Sequence, residues 1–189
     1  NINLPKMNHN TIYSPNGLEI WVPQMDKINS KTLVYDASTN ALKNTINTGK
    51  MSAELTFSSD GTKAYVCNGS DNNVTVINVS TKAIIKTIPV GLNPVGAWAG
   101  SNNKMFVDNE DGQSISVIDV ATDAVSETIP LGFMPGIASH NGIKNELWVS
   151  DPMAGKVHYW TYDTTKGMWM HGSAFTTGAG AHAITFTSD

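Results

Sequence analysis

Residues 65–96 read YVCNGSDNNVTVINVSTKAIIKTIPVGLNPVG, and residues 106–136 read FVDNEDGQSISVIDVATDAVSETIPLGFMPG. Both stretches begin with an aromatic residue followed by Val, pass through a polar turn into a segment of alternating apolar residues, and end on a Thr-Ile strand that runs to glycine. Alternation with a period of two is typical of β-strands, and Asn- and Gly-rich turns between such segments indicate hairpins. The two stretches therefore predict the same set of short strands, built twice.

The pattern extends over the whole chain. Aromatic–Val pairs recur 44, 41 and 42 residues apart, at Trp21-Val22, Tyr65-Val66, Phe106-Val107 and Trp148-Val149. Units of 40–45 residues with four strands each are typical of β-propeller blades, and a β-sandwich would not repeat with this period. No stretch has the i, i+3, i+4, i+7 spacing of an amphipathic helix. The sequence predicts an all-β propeller with four four-stranded antiparallel blades.

The two quoted stretches closely resemble the YVTN β-propeller repeat, which reads aromatic-Val-x-Asn, then Val-x-Val-Ile-Asp, then Thr-Ile-x-Val-Gly-x-x-Pro. The resemblance is strong over residues 53–136 and looser in the first unit, at Pro23-Gln24-Met25, and in the fourth, at Trp160-Thr161-Tyr162. The family includes surface-layer propellers and propellers like the N-terminal domain of nitrous oxide reductase. The resemblance implies the fold and says little about chemistry, because one fold hosts many functions.

The resemblance also implies a larger ring, because members of this family usually have seven blades. We expect one partial propeller domain over residues 1–189, with blades at about 9–49, 50–91, 92–132 and 133–178. Residues 1–8 read like the end of one neighbouring blade and 179–189 like the start of another. An open arc exposes an apolar blade face, so we expect the remainder of the propeller, a protein partner or a second copy to close the ring.

Composition restricts the classes of partner. The 189 residues carry a formal charge of −4 with no Lys/Arg cluster, which argues against nucleic acid. No apolar run reaches the length of a membrane span. Charged residues make up only 15% of the chain, and their place is taken by Ser, Thr, Asn and Gly.

Cys67 is the single cysteine, so an internal disulfide is impossible and a buried apolar role is predicted.

Two histidines are the candidate metal ligands. His9 and His182 occupy the same repeat position, each four residues before an aromatic residue, Tyr13 or Phe186, at the predicted channel mouth. Neutral imidazoles that converge on an axis could bind copper or another transition metal. We expect the two side chains to face each other across the ring, too far apart to share one ion, so polar residues lining a watery channel are the competing interpretation.

Other chemistry-bearing residues give weaker signals. Met168 and Met170 suit copper(I), but on a strand they point away from Trp169 and His171. Acidic residues at the predicted loops between second and third strands could bind calcium or simply be solvated; these are Asp108, Glu110, Asp111 and Asp151. His140 and His158 are predicted to be isolated and either structural or solvent-facing. No Ser-His-Asp grouping, phosphate loop or closely spaced carboxylate pair stands out, which favours a module without catalysis.

These features favour a binding or scaffold module outside the cytoplasm, periplasmic, secreted or at the cell surface. It would bind a protein or ligand at the channel-mouth face and need no cofactor. The alternative is a propeller subunit of a periplasmic redox metalloenzyme of the nitrous oxide reductase, haem d1 or quinoprotein dehydrogenase type. A lactonase-like hydrolase ranks third.

Overall fold

The computed structural model describes residue 2 and residues 4–187, and over that range the chain is all-β apart from a short 3-10 turn at Gly69–Asp71. Residues 1, 3, 188 and 189, which belong to the predicted flanking segments, lie outside the described residues. Sixteen strands form four antiparallel sheets of four strands each, and within every sheet the strands follow chain order. The structure therefore confirms the predicted fold class of four-stranded antiparallel blades.

The sheets occupy successive segments of the chain. Sheet 1 contains β1 Ile12–Tyr13, β2 Glu19–Pro23, β3 Lys31–Asp36 and β4 Leu42–Asn47. Sheet 2 contains β5 Ser52–Phe57, β6 Lys63–Asn68, β7 Asn73–Asn78 and β8 Ile84–Pro89. Sheet 3 contains β9 Pro94–Ala99, β10 Lys104–Asn109, β11 Ser114–Asp119 and β12 Ala124–Pro130. Sheet 4 contains β13 Ala138–Asn141, β14 Glu146–Asp151, β15 Lys156–Asp163 and β16 Met168–Thr176.

The turn between the third and fourth strands explains the Val-Ile-Asp part of the repeat. In each sheet the side-chain oxygen at the end of the third strand accepts two backbone N–H bonds from the turn that follows, at Asp36, Asn78, Asp119 and Asp163. A left-handed residue then reverses the chain, at Asn40, Lys82, Asp123 and Gly167. Asp and Asn favour such turns because their short side chains bond to the nearby backbone.

The aromatic–Val pairs pack the sheets against one another. Neighbouring residues of a strand point to opposite faces, so each pair serves two interfaces. The fully buried aromatic side chains face the following sheet, at Trp21, Tyr65 and Phe106. The valines face the preceding sheet, at Val66, Val107 and Val149. Three apolar clusters between successive sheets result, and Cys67 lies in the middle one, buried as predicted.

The first strand of each sheet is the inner strand, because β5 contacts β9 and β9 contacts β13. This arrangement brings the starts of the inner strands together at one end of the molecule. In the part of the chain that is described, no helix has the length and apolar character that a membrane crossing requires.

Candidate functional site

A cavity of about 180 Å³ lies where the chain enters the inner strands. Its lining comes from sheets 2 and 3, from the segments that lead into sheets 1 and 4, and from the segment after sheet 4. The lining residues are His9, Glu54, Val95, Gly96, Trp98, Asp108, Glu110, Gly136, Ile137, His182 and Ala183. The lining therefore carries three carboxyl groups, two imidazoles and one indole, and it contains no Lys or Arg.

The position of His9 is set by its neighbour Asn10. The side-chain amide of Asn10 donates to the Leu55 carbonyl at 2.9 Å, and its oxygen accepts from the Leu55 N–H at 3.2 Å. Two bonds to one residue align the segment before β1 with the inner strand β5. The His9 Nδ1 consequently lies 3.3 Å from Oε1 of Glu54, the residue before Leu55.

His182 lies in the same cavity, where its ring packs close to Gly136. A Cβ at Gly136 would lie 3.2 Å from the His182 Cδ2, and under 3 Å from side-chain atoms of Ser150 and Pro152. The two histidines therefore line one cavity, and their being too far apart to share one ion stays a prediction. The packing of successive inner strands brings them together, and the sequence does not reveal how strongly those strands curve about the axis.

Asp108 is the most buried carboxyl group of the cavity, at 1% exposed. Its Oδ1 accepts from the Trp98 Nε1–H at 2.7 Å, and its Oδ2 accepts from the Gly96 N–H at 3.2 Å. We expected Asp108 to lie in a solvated loop or to bind calcium there, but it is the fifth residue of β10 and points inward. Asp151 is likewise a buried strand residue, whereas Asp111 is exposed as predicted.

Gly96 leaves the space in which two carboxyl groups from different sheets approach each other. A Cβ at this position would lie 2.5 Å from Asp108 Oδ1 and 2.9 Å from Glu54 Oε2. No side chain larger than hydrogen fits without displacing one of them. The structure thus contains a carboxyl pair that the sequence analysis missed, because Glu54 and Asp108 are 54 positions apart.

Burial dominates the electrostatics of this cavity. Burial raises the pKa of Asp108 to about 8, and the nearby Glu54 adds to the rise. Burial also raises the pKa of Glu54, against the opposing effect of His9. The pKa of Glu110 is raised by burial and by Asp111. For Glu54 and Glu110, the effect of burial on the pKa outweighs the opposing effect of His9 and His182.

The site includes two residues, Glu54 and Trp98, that the sequence analysis did not single out. A signal for Glu54 was available, because a carboxylate in the otherwise apolar and small-residue strand 52–57 cannot face the core unpaired. Trp98 carried no such signal, since an aromatic residue on an inner strand is an ordinary core residue.

Across residue 2 and residues 4–187, no three or more His, Cys, Asp or Glu side chains are grouped to hold a metal ion. Met168 and Met170 are partly exposed while the intervening Trp169 is buried, as strand alternation predicts. Copper or another metal at His9 and His182 therefore stays a prediction.

The other histidines are not isolated, contrary to the sequence analysis. The Nδ1 of His158 lies 3.3 Å from the Nε2 of His171, and its ring stacks on Phe133 with centroids 4.6 Å apart. His140 stacks on Phe106 at 5.5 Å, and its Nε2 lies 3.0 Å from the Asn145 Oδ1. Burial lowers the pKa of both His140 and His158, so both rings serve as neutral packing elements.

Comparison with known proteins gives the fold and no closer relationship. No protein-family model matches the chain, and no curated protein matches its sequence. Hydrazine synthase of Kuenenia stuttgartiensis is 18% identical with a TM-score of 0.73, covering 89% of this chain and 52% of that one. The WD40 repeats of RRP9 are 11% identical with a TM-score of 0.70, with coverages of 89% and 52%. A 6-phosphogluconolactonase-type protein of Bacteroides uniformis is 13% identical with a TM-score of 0.75, with coverages of 90% and 55%.

These likenesses identify the chain as a β-propeller module. At sequence identities this low, structural similarity indicates a shared fold but does not indicate a shared activity. The chain spans about half the length of the structures it matches.

Proposed function

We propose that the chain is a binding module of an extracytoplasmic propeller protein, and that its cavity receives a small cationic group such as the side-chain ammonium of a partner protein. The observation that carries this proposal is the lining, which contains Glu54, Asp108 and Glu110 with no Lys or Arg. Each of these carboxyl groups has a raised pKa because burial disfavours its charged form. A bound cation favours that charged form.

The size and the aromatic wall of the cavity fit such a group. About 180 Å³ accommodates a handful of heavy atoms, and a water molecule takes roughly 30 Å³ of liquid volume. The indole of Trp98 adds a ring that attracts a cation through its quadrupole. Affinity should rise between pH 6 and pH 8, since binding requires the carboxyl groups to lose their protons.

Titration with n-butylammonium, followed by NMR, tests the proposal, and sodium butyrate serves as the control of opposite charge. We expect n-butylammonium to shift the Trp98 indole signal more strongly at pH 8 than at pH 6. Glu54→Gln and Glu110→Gln should each weaken binding several-fold, whereas Asp111→Asn, at an exposed position next to Glu110, should leave it unchanged. Equal shifts with butyrate, or full binding by both glutamine variants, would contradict the proposal.

The location outside the cytoplasm is supported by the low fraction of charged residues and by the resemblance to the YVTN repeat. Fractionation of source cells, with an antibody against this chain as the probe, checks it. Detection of the chain only in the cytosolic fraction would count against the assignment.

The redox metalloenzyme is the second candidate, and the shared cavity of His9 and His182 favours it. Purified protein should then retain a transition metal, and His9→Ala should lose at least half of it. His171→Ala is the matched control, because this histidine lies outside the cavity. Full retention in the His9 variant would reject His9 as a ligand.

A further inference from the structure

One face of sheet 4 has no neighbouring sheet among the described residues. Trp148 and Phe175 stack on this face with centroids 5.5 Å apart and ring planes 6° from parallel, and Tyr159 stacks on Trp148 at 5.5 Å. Phe175 is 50% exposed. We call the surface formed by Trp148, Val157, Tyr159 and Phe175 the open face.

The open face corresponds to a face that, elsewhere in the chain, packs against the following sheet. By repeat position its residues correspond to Tyr65, Val74, Val76 and Ile88 of sheet 2, which pack against sheet 3. The registers agree, because Val157 pairs with Phe175 in sheet 4 as Val74 pairs with Ile88 in sheet 2. Ile88 is 3% exposed, in contrast with Phe175. The open face is therefore half of a sheet–sheet interface.

The chain leaves sheet 4 by the same path as it leaves the other sheets. After each fourth strand, a backbone N–H bonds to a carbonyl in the connection between the second and third strands. The pairs are Thr48 to Ser30, Val90 to Asn72, Leu131 to Gln113 and Thr177 to Gly155. In sheets 1–3 this path leads the chain to the inner strand of the next sheet.

The segment 182–187 lies where such an inner strand would lie. Phe186 meets Trp148 edge to face, with centroids 5.7 Å apart at 81°. The equivalent pair between sheets 1 and 2 is Phe57 and Trp21, at 5.5 Å and 83°. Since the two geometries agree, the segment already occupies the innermost position on the open face.

The ion pair at the interface between sheets 1 and 2 has a counterpart of its acidic partner on sheet 4, but not of its basic partner. Trp21 donates to Glu19, and Lys82 from the next sheet bonds to Glu19 at 2.7 Å while its Nζ lies 5.0 Å from the Trp21 ring centre. On sheet 4, Trp148 donates to Glu146 at 2.9 Å in the same way. Within the described residues, no cation reaches Glu146.

We propose that the open face receives a fifth four-stranded sheet of the same repeat, whose inner strand is 182–187 and whose turn between third and fourth strands carries Lys or Arg. That cation pairs with Glu146 as Lys82 pairs with Glu19. The interface selects its neighbour by charge, because the pair between sheets 2 and 3 is reversed, with Lys63 bonded to Asp123 at 2.7 Å. This inference does not rest on the ligand proposed for the cavity, although the inner strand begins with His182 and Ala183 of its lining.

A second copy of the chain is a poorer occupant. Its sheet 1 would have to supply the cation, but Asn40 stands at the position of Lys82. The outer face of sheet 1 is also already covered, since Ile2 and Leu4 pack on Val22, Leu33 and Tyr35.

The test extends the chain after residue 189 with a copy of its own residues 61–91, which carry Lys82. The join is in register, because Thr187-Ser188-Asp189 aligns with Ser58-Ser59-Asp60. We expect Tm to rise by several degrees and hydrogen exchange at the Trp148 indole N–H to slow by at least tenfold. Lys82→Asp in the appended copy should remove most of the increase in Tm, because it faces Glu146 with a second carboxylate. Adding Glu146→Lys should restore the increase, because lysine on sheet 4 and aspartate on the next sheet then pair as Lys63 and Asp123 do.

A second experiment needs no extension. Glu19→Lys should lower Tm, because it places two cations at a filled interface, whereas Glu146→Lys should leave Tm unchanged. An equal loss in both variants would overturn the proposal. Three other results would also overturn it. The appended copy could leave hydrogen exchange at Trp148 unchanged, or Lys82→Asp in that copy could leave Tm unchanged. The third is a wild-type dimer in which Trp148 is buried.

Discussion

At the scale of single residues, Asp108 shows how this protein holds a carboxyl group in its interior. Burying an isolated carboxylate costs far more than two hydrogen bonds return, so the group keeps its proton instead. Trp98 and Gly96 orient the two oxygens, and burial raises the pKa to about 8. Asp108 is thus mostly neutral at pH 7 and can ionise when a cation arrives.

This pKa predicts a pH dependence of stability. The native state keeps a proton that the unfolded state releases near pH 4, so the free energy of unfolding should fall as the pH rises from about 4 to about 8 and then level off. Asp108→Asn should flatten that fall, because its amide does not ionise. Urea unfolding at pH 5, 6.5 and 8 measures the effect. Identical slopes in wild type and variant would show that Asp108 is ionised in the native state.

Asn68 carries the Asn of the repeat, and its role is structural. Its Oδ1 accepts from the Gly49 N–H at 3.1 Å and from the Ser52 hydroxyl at 2.8 Å, while its Nδ2 donates to Thr75 at 2.8 Å. The fully buried amide thereby joins the end of sheet 1 to the middle strands of sheet 2.

Asn68→Ala should lower the free energy of unfolding by about 3 kcal/mol, since several buried groups lose their partners. Asn44→Ala, on the exposed strand β4, is the matched control and should change it by less than about 0.5 kcal/mol. Chemical denaturation of both variants makes the comparison. Losses of similar size would mean that the Asn68 network adds little.

At the scale of strands and sheets, ion pairs cross two of the three interfaces between successive sheets. Lys63 of β6 bonds to Asp123 in the turn before β12, and Asp123 also accepts from the Tyr65 hydroxyl at 2.9 Å. The equivalent pair between sheets 1 and 2 has the opposite polarity, with Glu19 and Lys82. Exchanging neighbours would bring like charges together, so the polarity of each pair disfavours wrong neighbours.

Asp123→Ala should cost about 3 kcal/mol of unfolding free energy, because the mostly buried Lys63 ammonium loses its charged partner and keeps only the Val120 carbonyl, while the buried Tyr65 hydroxyl loses its acceptor. The double variant with Lys63→Ala should lose less than the sum of the two single losses. Asp111→Ala, at an exposed position, is the control. Additive losses in the double-mutant cycle would argue against a direct pair.

At the scale of the whole molecule, each sheet packs mainly against the sheets before and after it. Sheets 2 and 3 are covered on both faces, sheet 1 is covered on its outer face by Ile2 and Leu4, and sheet 4 has the open face. Local stability follows the apolar contacts that each sheet makes.

Hydrogen exchange should therefore be slowest in β7 and β11, the third strands of the two central sheets, and fastest in β16. Most of β16 is exposed, with Trp169 as its buried residue. Exchange measured peptide by peptide with mass spectrometry tests this order. Uniform protection across the four sheets would mean that the chain opens only as a whole.

The elements of the fold were largely predictable because their signals are local. The strand alternation, the Asp or Asn at the end of each third strand and the aromatic–Val pairs all lie within one unit of about 42 residues. The candidate site was predictable only in part. His9 and His182 were found through their repeat position, but Glu54 and Asp108 were not recognised as a pair, and His158 was expected to be alone.

The sequence by itself determined the repeat and the four strands of each sheet, because backbone pleating and turn chemistry act between close neighbours in the chain. The tertiary structure decided which of these units share a cavity. Gly96 and Gly136 admit side chains from sheets that lie far apart in the chain, and the distances between them depend on how the stacked sheets curve. That curvature comes from packing across all three interfaces, so no single unit encodes it.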